Sequence, residues 1–203
     1  IEIMKNILLP TDFSSNPLNA IQYAINLLKD EVCTFYFLHA YRVQYIANDE
    51  LLLNSMNQIA LIEKKLLESS QNSLDMIIEE LTPNSKHTYE TLSDYNFFID
   101  SVKQKVEELD IDLIIMGTKG ATGAKEIFMG SNTGDVIMKT DCDVLVVPDK
   151  AKYKTPKEIV FPTDFRLIYR EGELDILKKI ADQNDSIIRV LHVQNDEVLD
   201  EEQ

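Results

Sequence analysis

The sequence predicts an α/β protein built on a parallel sheet with helices on both faces. Two observations lead to this fold class. Short apolar runs that predict buried strands alternate with longer segments whose apolar residues recur every three or four positions, as in amphipathic helices. Part of this strand–helix–strand order then occurs a second time near the C-terminus. Regular alternation of strands and helices is typical of a parallel sheet covered on both sides.

The first half of the chain predicts two strands and two helices. Residues 6–10 and 33–40 are mostly apolar and form the first and second strands. Between them, Pro17 suits a first helical turn. Apolar residues then follow at helical spacing at Leu18, Ile21, Ile25 and Leu28. A long helix is predicted at 48–81, ended by the sequence Thr-Pro-Asn.

The next segments complete a five-stranded pattern. Residues 86–91 predict a third strand, and its polar side chains place it nearer an edge of the sheet. Asp94 is predicted to cap a helix at 95–109. A fourth strand is predicted at 111–116, a short helix at 133–140 and a fifth strand at 143–147.

The chain also repeats its own beginning. The sequence NILLPTDF at 6–13 returns as EIVFPTDF at 158–165. We therefore predict a first domain at 1–148, a linker at 149–156 and a partial second domain at 157–203 with a strand, a helix and a strand. A lone unit of this kind cannot bury both faces of its strands. It must pack on the first domain, pair with another chain or belong to a longer protein, and we expect the last.

A glycine-rich loop follows the fourth strand. Gly117 and Gly120 come directly after that strand, and Gly130 opens the sequence GSNT at the start of the next predicted helix. Glycines let the backbone approach an anion closely, and the N–H groups of a helix N-terminus point at it. Each glycine alone is better explained by a turn that needs a positive φ, but together they favour phosphate binding. The loop is not a Walker A sequence, because GxxxxGK[ST] is absent.

A second candidate loop, Pro10-Thr11-Asp12, follows strand one. Ligands of open parallel sheets bind beyond the carboxyl ends of the strands, so both loops open into one crevice if strands one and four are neighbours. Asp12 has two open interpretations, a ligand contact and an Asx turn before the first helix. His39 and His192 are interpreted as structural histidines, because no acid or nucleophile pattern accompanies either.

The composition limits the partners. A formal net charge of -15 argues against nucleic acid or an anionic membrane as the main partner. No apolar run approaches the roughly 20 residues that a membrane span needs. Cys33 and Cys142 lie far apart without CxxC spacing, so we expect reduced cysteines in a cytoplasmic protein. No spacing of His, Cys, Asp or Glu predicts a metal site.

These motifs together resemble the universal stress protein family. The matching features are the spacing Gly117-x2-Gly120-x9-Gly130-Ser131, the loop sequence Pro-Thr-Asp-Phe and the closing run CDVLVVP at 142–148. The resemblance covers residues 4–148 and, as the start of a second copy, 157–194, so the chain is similar to a truncated tandem member of the ATP-binding branch. It implies an open, Rossmann-like sheet of the adenine nucleotide alpha hydrolase-like kind, with strand order 3-2-1-4-5.

The resemblance also implies roles for single residues. Asp12, beside Pro10 and Thr11, would contact the ribose or adenine, and the Ala40 backbone would contact adenine. Met116 and Gly117 would pass under the ribose and α-phosphate. The phosphates would be held by the residues of the glycine loop and the helix start: Gly120, Gly130, Ser131, Asn132 and Thr133. Because the loop occurs once, we expect one nucleotide per chain.

The implied function is binding of ATP, or of AMP or ADP, as a regulatory ligand in stress-response signalling, with Mg²⁺ or Mn²⁺ carried only by the phosphates. Two alternatives stay open. One is a slow ATPase, although no residue is an evident general base for the γ-phosphate. The other is a nucleotide-independent interaction protein. In either case the apolar fifth strand, from Val144 to Val147, predicts a homodimer through a sheet edge.

Overall fold

The computed structural model describes residues 5–42, 52–118, 130–166, 168–169 and 172–192. The chain divides into two compact units, Ile1–Tyr153 and Lys154–Gln203, so the division lies inside the predicted linker. Each unit is described by itself. No helix in the described ranges is long and apolar enough to cross a membrane.

In its described residues, the first unit has a five-stranded parallel sheet and four helices. Its strands are β1 (Lys5–Pro10), β2 (Cys33–Tyr41), β3 (His87–Tyr95), β4 (Leu113–Gly117) and β5 (Asp143–Val147). Its helices are α1 (Ser15–Leu27), α2 (Leu52–Glu79), α3 (Phe98–Glu108) and α4 (Ser131–Lys139). The strand order is β3-β2-β1-β4-β5. Both the fold class and the predicted order are confirmed. As an edge strand, β5 has the position that the predicted homodimer requires; the homodimer itself stays a prediction.

The register of β2 against β1 leaves the last part of β2 without a paired strand on its β1 side. The two strands pair in parallel from Lys5 opposite Cys33 to Pro10 opposite Leu38. The Thr11 N–H then donates to the Leu38 carbonyl at 2.8 Å. Because β2 continues to Tyr41, its last three residues extend past the end of β1. On the other side, β1 pairs with β4, so the carboxyl ends of β1 and β4 lie side by side.

The sheet buries apolar side chains on both faces. On one face Leu8, Leu38 and Ile114 pack with Val102 of α3 and Val136 of α4. Successive residues of a strand point to opposite faces, so Ile7 and Leu9, both fully buried, lie on the other face. There α1 contacts β1 and β4, and α2 contacts β2 and β3. This two-sided burial explains why the strands appear in the sequence as continuous apolar runs.

The region around Asp94 differs from the sequence prediction. The third strand runs on to Tyr95, and Asp94 pairs with Ala40 of β2. Helix α3 begins only at Phe98, so the prediction that Asp94 caps this helix is wrong. The cause is pairing with the long β2, which extends β3 despite its polar residues. From the strand, the Asp94 carboxylate accepts a hydrogen bond of 2.6 Å from the Ser101 hydroxyl.

The second unit has the predicted strand–helix–strand order. Its elements are β6 (Glu158–Pro162), α5 (Asp175–Asn184) and β7 (Ile187–Leu191). The two strands pair in parallel along their whole length. Val160, Ile187 and Val190 are each more than half exposed, so this pair of strands leaves apolar side chains uncovered within its own unit.

Candidate functional site

A cleft lies where the carboxyl ends of β1 and β4 meet. Its volume is about 120 Å³, whereas a single buried water needs roughly 10–15 Å³ on the same measure, so the cleft can hold an organic group. It is lined by residues from the ends of three strands and the starts of three helices: Pro10, Thr11, Asp12, Pro17, Ala40, Phe98, Met116, Gly117, Asn132 and Thr133. Crevices at this edge are the usual ligand sites of open parallel sheets.

A tight turn after β1 holds Asp12 at the cleft. The Thr11 hydroxyl oxygen accepts a hydrogen bond of 3.0 Å from the Phe13 N–H. One carboxylate oxygen of Asp12 accepts bonds from the Ser14 N–H at 3.0 Å and the Ser14 hydroxyl at 2.5 Å. Phe13 has a left-handed φ of 64°. The Asx-turn interpretation of Asp12 is therefore confirmed, and the same exposed residue also lines the cleft.

The second unit builds the same turn from its copy of the sequence. The Thr163 hydroxyl oxygen accepts from the Phe165 N–H at 3.1 Å, and Asp164 accepts from the Arg166 N–H at 2.9 Å. Phe165 has a φ of 58°. The repeated sequence Pro-Thr-Asp-Phe thus encodes one local structure, which explains its recurrence without requiring a ligand at the second copy.

A histidine packs on the phenylalanine of the turn in both units. The Phe13 and His39 rings lie 4.4 Å apart, and those of Phe165 and His192 lie 5.1 Å apart. His39 Nδ1 lies 2.8 Å from the hydroxyl oxygen of the buried Ser70. Burial lowers the pKa of His39, and the nearby Asp12 carboxylate partly offsets this effect. These contacts support the interpretation of both histidines as structural.

The lowered pKa of His39 predicts a pH dependence of stability. In the unfolded chain the imidazole takes up a proton near pH 6.5, but in the folded protein only at lower pH. The unfolded state therefore binds more protons just below pH 6.5, so stability falls as the pH falls through this window. We expect His39→Gln to flatten the pH dependence of the free energy of unfolding below about pH 6.5. Urea denaturation at several pH values measures this, with the exposed His192→Gln as control. Wild-type behaviour of His39→Gln would contradict the prediction.

Gly117 ends β4 and lies directly against Asn16 of α1. A Cβ atom at this position would lie 1.7 Å from Asn16 Oδ1 and 2.8 Å from Asn16 Cγ. The Gly117 carbonyl accepts a hydrogen bond of 2.9 Å from the buried Thr133 hydroxyl. Glycine is therefore required here by packing against α1, a reason that the phosphate interpretation of the sequence did not include.

Helix α4 begins at the cleft, where Asn132 and Thr133 are among the lining residues. Gly130 is the N-cap, and it has no side chain to cap the helix. Its own N–H donates to the Thr118 carbonyl at 2.7 Å, and its carbonyl accepts from the Gly134 N–H at 3.0 Å. The N–H groups of residues 131–133 come before that of Gly134. They have no partner within the helix, because the first N–H groups of an α-helix have no acceptor one turn earlier. They lie at the positive end of the helix dipole, which attracts anions.

Most of the predicted site residues meet at this cleft. Those that line it are Pro10, Thr11, Asp12, Ala40, Met116, Gly117, Asn132 and Thr133. Gly130 and Ser131 stand next to them at the start of α4. Gly120 lies outside the described residues.

Two lining residues, Pro17 and Phe98, were not predicted as site residues. Both lie near the start of a helix that follows the carboxyl end of a strand. Because ligands bind at the carboxyl edge of an open parallel sheet, this position in the sequence alone would have placed both residues at the ligand edge.

Comparison with known proteins identifies the family. The sequence model of the universal stress protein family matches residues 4–148. Universal stress protein MJ0577 of Methanocaldococcus jannaschii is 30% identical over 159 residues, 72% of this chain and 96% of its own length. MJ0531 of the same organism is 31% identical over 152 residues, covering 74% and 85%. The solved structure of MJ0577 aligns with a TM-score of 0.56 and 27% identity, over 73% of this chain and 98% of that one. The chain belongs to the universal stress protein family.

Proposed function

We propose that the first unit binds an adenine nucleotide in the cleft and that the nucleotide is a regulatory ligand in a stress response. The observation that carries this proposal is the position of the α4 N-terminus. Asn132 and Thr133 line the same cleft as Asp12 and Ala40. One ligand with an anionic end and a nucleoside end therefore fits across the ends of β2, β1 and β4, in that order.

Phosphate would be held by backbone N–H groups. Acidic residues outnumber basic residues by 35 to 20, and no lysine or arginine is among the described residues that line the cleft. The N–H groups of Ser131, Asn132 and Thr133, in contrast, need partners outside α4. The single hydroxyl proton of Thr133 already goes to the Gly117 carbonyl, and the Gly130 N–H goes to Thr118. We therefore assign the phosphate contacts to the backbone of residues 131–133. Gly120, also predicted to hold phosphate, lies outside the described residues.

Adenine would be held by the part of β2 that extends past β1. The Leu38 carbonyl points towards β1, because it accepts from Thr11. Backbone groups of alternate residues in a strand point to the same side, so the N–H and carbonyl of Ala40 also point there, beyond the last pair with β1. An N–H next to a carbonyl complements adenine, which offers an acceptor nitrogen beside an amino group. Guanine presents the opposite pattern on that edge.

A regulatory role fits the chemistry of the lining better than catalysis does. Asp12 is the one carboxylate among the described lining residues, and it is engaged in the turn before α1. General-base catalysis needs a group within hydrogen-bond reach of the attacking water, and Asp12 stands at the nucleoside end. Among the described residues, no group of three or more His, Cys, Asp or Glu side chains could hold a metal. We therefore propose that Mg²⁺ or Mn²⁺ enters only with the phosphates.

Proline at position 131 tests the backbone contact directly. Ser131 is exposed and is the first residue of α4, a position that favours proline. Gly130 has the extended backbone (ψ 153°) that must precede proline. Ser131→Pro thus removes one N–H and leaves the helix intact, whereas Ser131→Ala removes only the hydroxyl. We expect ATP and AMP to bind wild type and Ser131→Ala at one site per chain. Ser131→Pro should weaken binding by about 10-fold or more, as the loss of a hydrogen bond to a charged group predicts.

Isothermal titration of the full chain measures this difference. Absence of binding to wild type at millimolar nucleotide, or equal affinity of Ser131→Pro and Ser131→Ala, would overturn the proposal. ATP turnover above about 1 per second, as typical enzymes show, would favour an enzyme over a regulatory module.

A further inference from the structure

We infer that Phe98, the first residue of α3, forms the platform on which the base of the bound nucleotide stacks. This inference rests on the proposed function and assigns a base-recognition residue to the same cleft. Phe98 lines the cleft together with Ala40. It is an aromatic residue at a position that neither the glycine loop nor the turn after β1 indicates.

The topology places Phe98 at the nucleoside end of the cleft. In the strand order β3-β2-β1-β4-β5, the cleft extends from the end of β2 to the end of β4. Helix α4 begins beside the end of β4, because the Thr133 hydroxyl donates to the Gly117 carbonyl. Helix α3 instead follows β3, which pairs with β2 as far as Tyr95 opposite Tyr41. A ligand with its phosphate at α4 therefore has its base beside Ala40 and Phe98.

The Phe98 side chain both packs against the core and lines the cleft. It is half-buried and packs against the core cluster that contains Leu38 and Met116, while it also lines the cleft. The first turn of α3 is fixed to β3, since the Ser101 hydroxyl donates to the Asp94 carboxylate at 2.6 Å. The Ser101 N–H also donates to the Phe97 carbonyl at 2.9 Å. An aromatic ring held in this way loses little conformational entropy when a ligand stacks on it.

Stacking and backbone hydrogen bonding supply different parts of base recognition. A ring face attracts any base, and stacking of this kind contributes strongly to nucleotide affinity in other proteins. The Ala40 backbone would select the hydrogen-bonding edge, whereas Phe98 would contribute affinity for the base itself. Loss of the Phe98 ring should therefore weaken binding of AMP and leave binding of ribose 5-phosphate, which has no base, unchanged.

The neighbouring residue gives a matched control. Phe97 is 57% exposed, and the Arg42 guanidinium carbon lies 4.0 Å from its ring centroid. Phe97 is not among the residues that line the cleft. Phe97→Leu and Phe98→Leu make the same chemical change one position apart, and both keep an apolar side chain.

Titration of variants of the whole 203-residue chain with two ligands tests the inference. We expect Phe98→Leu to weaken AMP binding about 5- to 20-fold, while Phe98→Tyr and Phe97→Leu stay within about twofold of wild type. Ribose 5-phosphate, followed by ³¹P NMR at millimolar concentration, should bind wild type and Phe98→Leu equally. The upfield ring-current shift of the AMP base protons should be present in wild type and lost in Phe98→Leu.

The possible results distinguish the role of Phe98 from nucleotide binding itself. Wild-type AMP affinity in Phe98→Leu, or equal weakening of AMP and ribose 5-phosphate, would overturn the role of Phe98 while nucleotide binding stands. Absence of AMP binding to wild type would overturn both. Unchanged ribose 5-phosphate binding by Phe98→Leu also shows that the variant is folded.

Discussion

Gly117→Ala is expected to lower the free energy of unfolding of the first unit by about 1–3 kcal/mol, the usual cost of overpacking, whereas Gly134→Ala raises it by about 0.4–1 kcal/mol. At position 117 the added Cβ would overlap Asn16, with the backbone carbon of Asn16 only 3.1 Å away. Asn16 is buried, so its side chain has little room to move. At position 134, inside α4, an added Cβ meets nothing within 4 Å.

Chemical denaturation of both variants measures these opposite effects. A third variant identifies the cause, because Asn16→Ala shortens the side chain that the new methyl group meets. The double variant with Gly117→Ala and Asn16→Ala should be less destabilised than the sum of its single changes. Equal stability of Gly117→Ala and Gly134→Ala, or strict additivity in the double variant, would contradict the packing explanation.

Glu31→Ala is expected to lower the free energy of unfolding by about 1–3 kcal/mol, because it leaves a buried ammonium group without its partner. Lys5 Nζ lies 3.0 Å from Glu31 Oε2, and the side chains of Lys5 and Glu31 are 6% and 30% exposed. Removing one partner of a fully buried pair costs about 3–5 kcal/mol, and the partial exposure of Glu31 reduces that figure through solvent screening.

Two further variants make the Glu31 prediction specific. Glu68→Ala breaks an exposed pair with Lys64, with N and O atoms 3.9 Å apart, and should change stability by less than about 0.5 kcal/mol. Lys5→Met removes the buried charge and keeps the apolar stem, so it should cost less than Glu31→Ala. Urea denaturation orders the three variants. A Glu31→Ala protein as stable as Glu68→Ala would show that the Lys5 ammonium is solvated.

The fold could be predicted from the sequence because strands buried on both faces leave continuous apolar runs. The runs ending at Pro10 and at Val147 agree with the observed strand ends. The prediction was less accurate at β3, where pairing with β2 outweighs polar composition and includes Asp94 in the strand. Strand order came from the family resemblance, since periodicity along one chain does not state which strands are neighbours.

The candidate site was predictable where it follows directly from a strand end. Asp12 and Gly117 belong to that class, because residues at or just after the carboxyl end of a parallel strand lie at the ligand edge wherever the helices pack. The reason for glycine at 117 was not predictable, since it depends on Asn16, about 100 residues earlier in the chain. Phe98 was missed for the same kind of reason, because the orientation of its ring depends on packing against the core cluster.

The extension of β2 past β1 also affects how such a site can evolve. Beyond the last pair with β1, the groups of Ala40 that would bind adenine in the proposed site belong to its peptide bonds. Every residue except proline carries the same peptide N–H and carbonyl. Position 40 can therefore change its side chain over evolutionary time while the hydrogen-bonding pattern at the cleft stays constant. Related proteins could share the same recognition without sharing a residue there, and sequence conservation would underestimate the importance of this position.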